Sequence, residues 1–95
     1  MKMVEEVVGT RNPRLNALTP EAVRKVAKKL RSEPIRKWSL MLEGQEFPVK
    51  QIVREAANLL DMNAPEVTPA DFIAHDAVRI LRRLGFEKQI KYYDE

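Results

Sequence analysis

The chain contains no cysteine among its 95 residues. That excludes disulfide staples and thiolate metal sites. Its three glycines, Gly9, Gly44 and Gly85, stand apart from one another, so there is no glycine-rich loop to cradle a phosphate. There is one histidine, His75, and no serine–histidine–aspartate pattern or cluster of metal-ligating side chains around it. His75 and Asp76 are neighbours in sequence, and adjacent residues on a helix do not face each other. The expectation is therefore a protein that is not an enzyme, with no catalytic residues, no metal, no cofactor and no small-molecule substrate. No apolar run approaches the roughly 18–20 residues a membrane span requires. The first residues, Met1-Lys2-Met3-Val4-Glu5-Glu6-Val7-Val8, carry acids early and do not read as a secretory signal. The expected location is the cytoplasm, away from membranes.

What remains is the composition of a small globular domain, 44% hydrophobic and 33% charged. The length has room for one domain and one core, with a modest stability margin. Net charge is +3. That bias is compatible with nucleic acid without being diagnostic of it. Its distribution is uneven. Nine of the 17 basic residues lie between Arg11 and Lys37, and Arg79, Arg82 and Arg83 form a second group.

Periodicity divides the chain. Residues 1–18, interrupted at Gly9-Thr10-Arg11-Asn12-Pro13, read as an N-terminal arm, with 19–95 as a single α+β domain. Thr19-Pro20-Glu21 is a helix start. The Thr hydroxyl can cap, Pro suits the first turn, and Glu meets the positive end of the dipole. Val23, Val26, Ala27 and Leu30 continue at helical spacing to about Arg31 or Ser32, before Pro34. Residues 35–42 alternate as a strand, with Trp38, Leu40 and Leu42 on one face. Glu43-Gly44-Gln45 turns the chain, Glu46-Phe47 pairs back, and Pro48 opens a second helix to about Met62. Asn63 is expected to cap that helix in the left-handed conformation before Pro65. Thr68-Pro69-Ala70-Asp71 either begins the last helix or forms a separate turn before it. Gly85 ends the last helix and Phe86 folds back on it. Residues 86–92 alternate as a closing strand. The result is three helices with a small two- or three-stranded antiparallel sheet, winged-helix-like in order.

Two stretches carry a resemblance. Glu46-Phe47-Pro48-Val49-Lys50-Gln51, and Asp71-Phe72 followed by Ala77 and Ile80-Leu81-Arg82-Arg83-Leu84-Gly85-Phe86, together resemble a small prokaryotic module. Its signatures are aromatic-Pro-Val-Lys-Gln and Ile-Leu-Arg-Arg-Leu-Gly-Phe. It occurs as stand-alone uncharacterised proteins, with related versions joined to HNH-type endonuclease and restriction-like proteins. The resemblance spans roughly residues 38–90 and implies a neighbourhood of DNA metabolism without implying nuclease activity. The module often has Thr-Ser where this chain has Ile73-Ala74, a pair that would cap the last helix.

The candidate site residues are cationic. His75, Arg79, Arg82 and Arg83 share one sector of the last helix, a natural recognition helix whose arginine forks suit guanine edges and phosphates. Arginines near a helix C-terminus also simply favour the negative end of the dipole. Lys25, Lys28 and Lys29 can meet phosphates or be a solvated face. Lys50 lies in the first turn of its helix, where the dipole disfavours a cation. With Gln51 and the helix N-terminus it can meet a phosphate. Trp38 and Phe47 are either a stacking platform for bases or anchors of the hairpin core. The reading is a nucleic-acid-binding module, for DNA in preference to RNA and for duplex DNA in particular. The alternative is a protein-interaction module, a homodimer among its forms.

Overall fold

The computed structural model describes residues 12–93. Their elements are α1 (Pro13–Asn16), α2 (Pro20–Ala27), β1 (Trp38–Leu42), β2 (Gln45–Pro48), α3 (Val49–Asn58), α4 (Ala74–Arg83) and β3 (Ile90–Tyr92). The fold is α+β. The antiparallel sheet has the order β2-β1-β3, so the central strand is the first in sequence. Helices, hairpin, helix pair and strand follow one another in an order compatible with a winged helix. The α3–α4 connection, residues 59–73, is much longer than the roughly three- to four-residue turn of a helix-turn-helix.

Local chemistry sets the element starts. The Thr19 hydroxyl accepts a hydrogen bond from the Ala22 N–H at 3.2 Å, and Pro20 opens α2. Glu43 (φ 52°) and Gly44 (φ 74°) both take positive φ, which is the requirement of a tight two-residue hairpin turn. Leu40 pairs with Phe47 on one side and Ile90 on the other, and both Leu40 and Phe47 are fully buried. Pro48 has no N–H to extend the ladder and becomes the N-cap of α3. At the end of α4, Gly85 (φ 96°) allows the Phe86 N–H to reach the Leu81 carbonyl and its own N–H to reach Arg82. This paired closure drives the Phe86 ring into the core.

The core is one cluster in which α3 packs against β1 and β2 and α2 and α4 pack against α3, with Val23, Leu40, Phe47, Ile52, Val53, Ile80 and Leu81 fully buried within it. Leu15 and Leu18 belong to it. Residues 12–18 are therefore part of the domain, not of an arm. Asn12 caps α1 by accepting from the Arg14 N–H at 2.9 Å, and the two leucines enter the core. The expectation for residues 1–11 lies outside the described residues.

Four boundaries differ from the periodicity. The last helical residue of α2 is Ala27, and the Val26 carbonyl closes the turn by accepting from the Lys29 and Leu30 N–H groups. Strand β1 begins at Trp38, because residues 31–33 are bound to α3 through Gln51. Residues 87–89 form a 3₁₀ turn, since Phe86 is drawn inward and the chain must return to the β1 edge. The alternative of a separate turn before the last helix holds: Pro69–Asp71 is a 3₁₀ turn, and α4 begins at Ala74.

The fourth difference concerns the end of α3. Asn63 does not adopt a left-handed conformation, because among the described residues only Glu43 does so without being glycine. Arg14 closes the helix instead. Its side chain is buried and donates six hydrogen bonds, 2.7–3.2 Å long, to the carbonyls of Ala57, Leu60, Met62, Ala64 and Pro65. A cation at a helix C-terminus meets the negative end of the dipole, and a planar fork satisfies carbonyls that the helix leaves open. Asn58 continues the arrangement through reciprocal bonds with the Val67 backbone, at 2.7 and 3.0 Å.

The sheet is also tied by side chains. The Glu46 carboxylate accepts from the Ser39 hydroxyl at 2.5 Å and from the Tyr93 hydroxyl. The two bonds, Ser39 first, hold the Glu46 carboxyl below the usual carboxylate range, while its proximity raises the Tyr93 phenol above its ordinary value.

Two outcomes follow from these contacts. Arg14→Ala should cost about 3 kcal/mol, since charge-assisted bonds are each worth about 1.5–3 kcal/mol and their acceptors would be stranded. For a domain of this size that lowers Tm by about 12–20 °C in calorimetry. Arg14→Lys should restore less than half, because an ammonium cannot fork. The Glu46 contribution is present above the unfolded carboxylate range and is lost as pH falls through the depressed folded value. Stability measured from neutral pH downward should therefore decline less steeply in Glu46→Gln than in the native chain.

Candidate nucleic-acid interface

Helical geometry places His75, Arg79, Arg82 and Arg83 on the side of α4 opposite Ala77, Val78, Ile80 and Leu81, which are buried. All four are exposed. Arg82 pairs with Glu87 at 3.1 Å, and both side chains remain about half exposed or more, 49% and 66%. Among the described residues, no carboxylate pairs with Arg79 or Arg83. The Asp76 carboxylate turns back to accept from the Ile73 N–H at 3.1 Å and caps the helix start. Ile73 has no acceptor of its own, so this cap is one-sided.

The first turn of α4 stands next to the sheet. The His75 ring meets Trp38 edge-on, with centroids 6.0 Å apart, and Trp38 is braced from β3 by Tyr92 at 4.6 Å. A shallow depression lined by Trp38, His75, Val78, Arg79 and Arg82 runs along this seam. It shares Trp38 and His75 with a larger cleft of about 720 Å³. Three separate segments build that cleft: residues 33–38, the start of α3, and residues 69–75. Arg36, Lys37, Lys50 and Arg54 supply its cations, and Glu33 its one carboxylate. Arg54 is committed to Glu33 at 3.6 Å and Glu55 at 3.2 Å, whereas Arg36 and Lys37 have no carboxylate partner among the described residues.

Lys50 and Gln51, adjacent in sequence, have separate tasks. The Lys50 ammonium bridges from α3 to the 3₁₀ turn, donating to the Pro69 carbonyl at 2.9 Å and lying 5.2 Å from the Phe72 ring centre. These contacts offset the unfavourable dipole at the first turn. The amine is partly exposed, lines the cleft and keeps further donors. Gln51 is only 4% exposed. Its oxygen accepts from the Glu33 N–H at 2.9 Å, and its nitrogen donates to the Arg31 carbonyl at 2.8 Å. Both polar ends are satisfied inside the protein, so Gln51 is corrected from a phosphate contact to a clamp on the loop before β1.

Lys25, Lys28 and Lys29 are exposed on α2 and the turn after it, and none lines the cleft or the seam. Phe47 is core, while Trp38 is half-buried and open to both depressions. Sequence reasoning did not single out Arg36 and Lys37 as site residues. Their readable signal was position: both immediately precede Trp38 in the only basic-basic-aromatic run of the chain.

The two signature stretches are largely explained by construction. Phe47, Val49, Ile80, Leu81 and Phe86 fill the core, Pro48 stops the ladder, Gly85 turns the chain and Gln51 clamps a loop. Lys50, Arg82 and Arg83 are the basic members of the two stretches, and each is at least partly exposed. No helix among the described residues is long and apolar enough to cross a membrane. Comparison with protein-family models, curated proteins and solved structures finds no match to the chain.

Gln51→Ala should cost about 1 kcal/mol, because it removes the two hydrogen bonds by which a buried side chain holds the loop before β1. Urea denaturation should show a lower midpoint at unchanged slope.

Proposed function

We propose that the chain is a small nucleic-acid-binding module that takes duplex DNA and performs no chemistry on it. The observation that carries this reading is continuity. Arg79 and Arg82 lead along α4 to His75 and then into the cleft where Arg36, Lys37 and Lys50 converge. The two depressions share Trp38 and His75, so these cations border one continuous stretch of surface, as a phosphate backbone requires. Arg82 is available to this strip despite Glu87. An exposed ion pair is worth about 0–1 kcal/mol, and a phosphate can displace the carboxylate.

In this reading α4 lies in the major groove. Arg79, Arg82 and Arg83 face base edges or phosphates, and β3 and the hairpin flank the backbone. The groove of B-form DNA admits a helix, whereas that of A-form RNA is too narrow, which favours DNA over RNA. Lys25, Lys28 and Lys29 are held for longer duplexes. The resemblance to a module found beside HNH-type and restriction-like proteins points the same way, and the site of action in this reading is the cytoplasm.

A second reading has its own observation. Ile73 is 61% exposed and Tyr92 51%, close to the same cleft, as an interaction or homodimer surface would have them. Light scattering that shows a dimer, with melting that rises with protein concentration, would favour it.

The test is a titration against a mixed-sequence duplex at low salt. Log affinity should fall against log salt with a slope of about −3, corresponding to three or four neutralised phosphates. Replacing Arg79, Arg82 and Arg83 together by alanine should weaken binding at least about tenfold and flatten the slope. Absence of binding at about 50 mM salt removes the reading.

A further inference from the structure

The cleft contains more than a phosphate contact requires. A backbone phosphate needs only cations, yet this cleft has an aromatic wall and an apolar lining as well. Trp38 forms the wall, and Pro34, Val49, Ile73 and Ala74 are among its apolar lining. Arg36, Lys37 and Lys50 stand at its polar side, with the only lining carboxylate, Glu33, already paired to Arg54. Its volume of about 720 Å³ falls within the range of small-ligand sites, about 300–1,000 Å³. The Trp38 ring is held from two sides, by Tyr92 and His75, so its orientation is set before anything binds. A fixed aromatic wall loses little entropy on contact with a ligand.

We propose that this cleft receives a single unstacked nucleotide of a DNA strand whose flanking phosphates follow the α4 seam. The base stacks against Trp38, and its phosphate lies toward Lys50, Arg36 and Lys37. Base–aromatic stacking is tolerant of base identity, so the preference is for an unpaired nucleotide rather than a sequence. The seam lined by Arg79, Arg82, His75 and Trp38 opens into the cleft, so a strand lying along α4 arrives at its mouth. This inference rests on the nucleic-acid reading. It adds that a duplex interrupted by an unpaired nucleotide is the better target.

Trp38 is the only tryptophan of the chain, so its emission reports the cleft directly. The full chain is titrated with a short paired duplex, with the same duplex carrying one unpaired adenine nucleotide at its centre, and with free deoxyadenosine monophosphate. The interrupted duplex is expected to bind about tenfold more tightly than the paired one and to quench Trp38 emission. Trp38→Ala should bring the ratio of the two affinities close to one, and Trp38→Phe, which keeps an aromatic face, should retain most of it. Equal binding of both duplexes with unchanged Trp38 emission overturns the proposal and leaves the duplex reading standing. Failure to bind either duplex removes both. Quenching by the free nucleotide at concentrations where the interrupted duplex does not bind reassigns the cleft to a free ligand and likewise overturns the proposal.

Discussion

The geometry of the site depends on a buried cation that has no carboxylate partner among the described residues. The Arg14 guanidinium is met by carbonyl dipoles, those at the end of α3 and along the connector after it. A connector this long and irregular has many open carbonyls, and each one buried without a donor would be costly. One planar fork satisfies five of them. Asn12 adds bonds to the Pro65 and Glu66 carbonyls, and Asn58 fastens Val67. The Asp71 carboxylate then closes the 3₁₀ turn through the Thr68 N–H, and Lys50 holds Pro69. The path from α3 to the first turn of α4 is thereby fixed residue by residue. The end of that path, at Pro69 and Ile73, lines the cleft together with Ala74 and His75 of α4.

The opposite wall is fixed by the sheet. Strand β3 has only three residues, too few to hold an edge by ladder bonds alone. Its position is reinforced where Tyr93 meets Glu46 and where Tyr92 meets Trp38. Glu46 reaches across from β2 and Ser39 from β1, so one carboxylate joins two strands and the residue that follows the third. Trp38 and the loop before it are positioned by this arrangement together with the Gln51 clamp. The cations that sit in the cleft therefore belong to segments that are each tied down elsewhere, which is the condition for a preorganised surface.

Local signals in the sequence were sufficient for the starts and stops that local chemistry decides. Thr19-Pro20-Glu21, the Glu43-Gly44 turn, Pro48 and Gly85-Phe86 each act through neighbours in the chain, and each could be read. The failures share a different cause. Arg14 contacts residues more than 40 positions away and Gln51 residues about 20 away, and no periodicity encodes such partners. Arg14 looked like one more member of a basic stretch, and Asn63 looked like a helix cap because the true cap lay elsewhere in the chain. The exposed arginines of α4 were readable because one amphipathic helix presents them all. The cleft was not, because it exists only where three separate segments meet. Lys50 carried a partial hint: a cation in the first turn of a helix needs a compensating contact, and Pro69 and Phe72 supply it.

The basic residues, alike in composition, thus divide by physical role. Arg14 closes the end of α3, Arg54 pairs with Glu33 and Glu55, Arg24 lies over the Phe86 ring, and Arg36, Lys37, Arg79 and Arg83 have no carboxylate partner among the described residues. The most direct test of the account is nitrogen-detected NMR of the arginine side chains. A guanidinium held by six carbonyl bonds should show separate, slowly exchanging terminal N–H signals for Arg14, with hindered rotation about its Cζ–Nη bonds, in contrast to the averaged signals of Arg79 and Arg83. An Arg14 spectrum as averaged and as rapidly exchanging as theirs would contradict the account, because the carbonyls at the end of α3 and along the connector would then lack the donor that closes them.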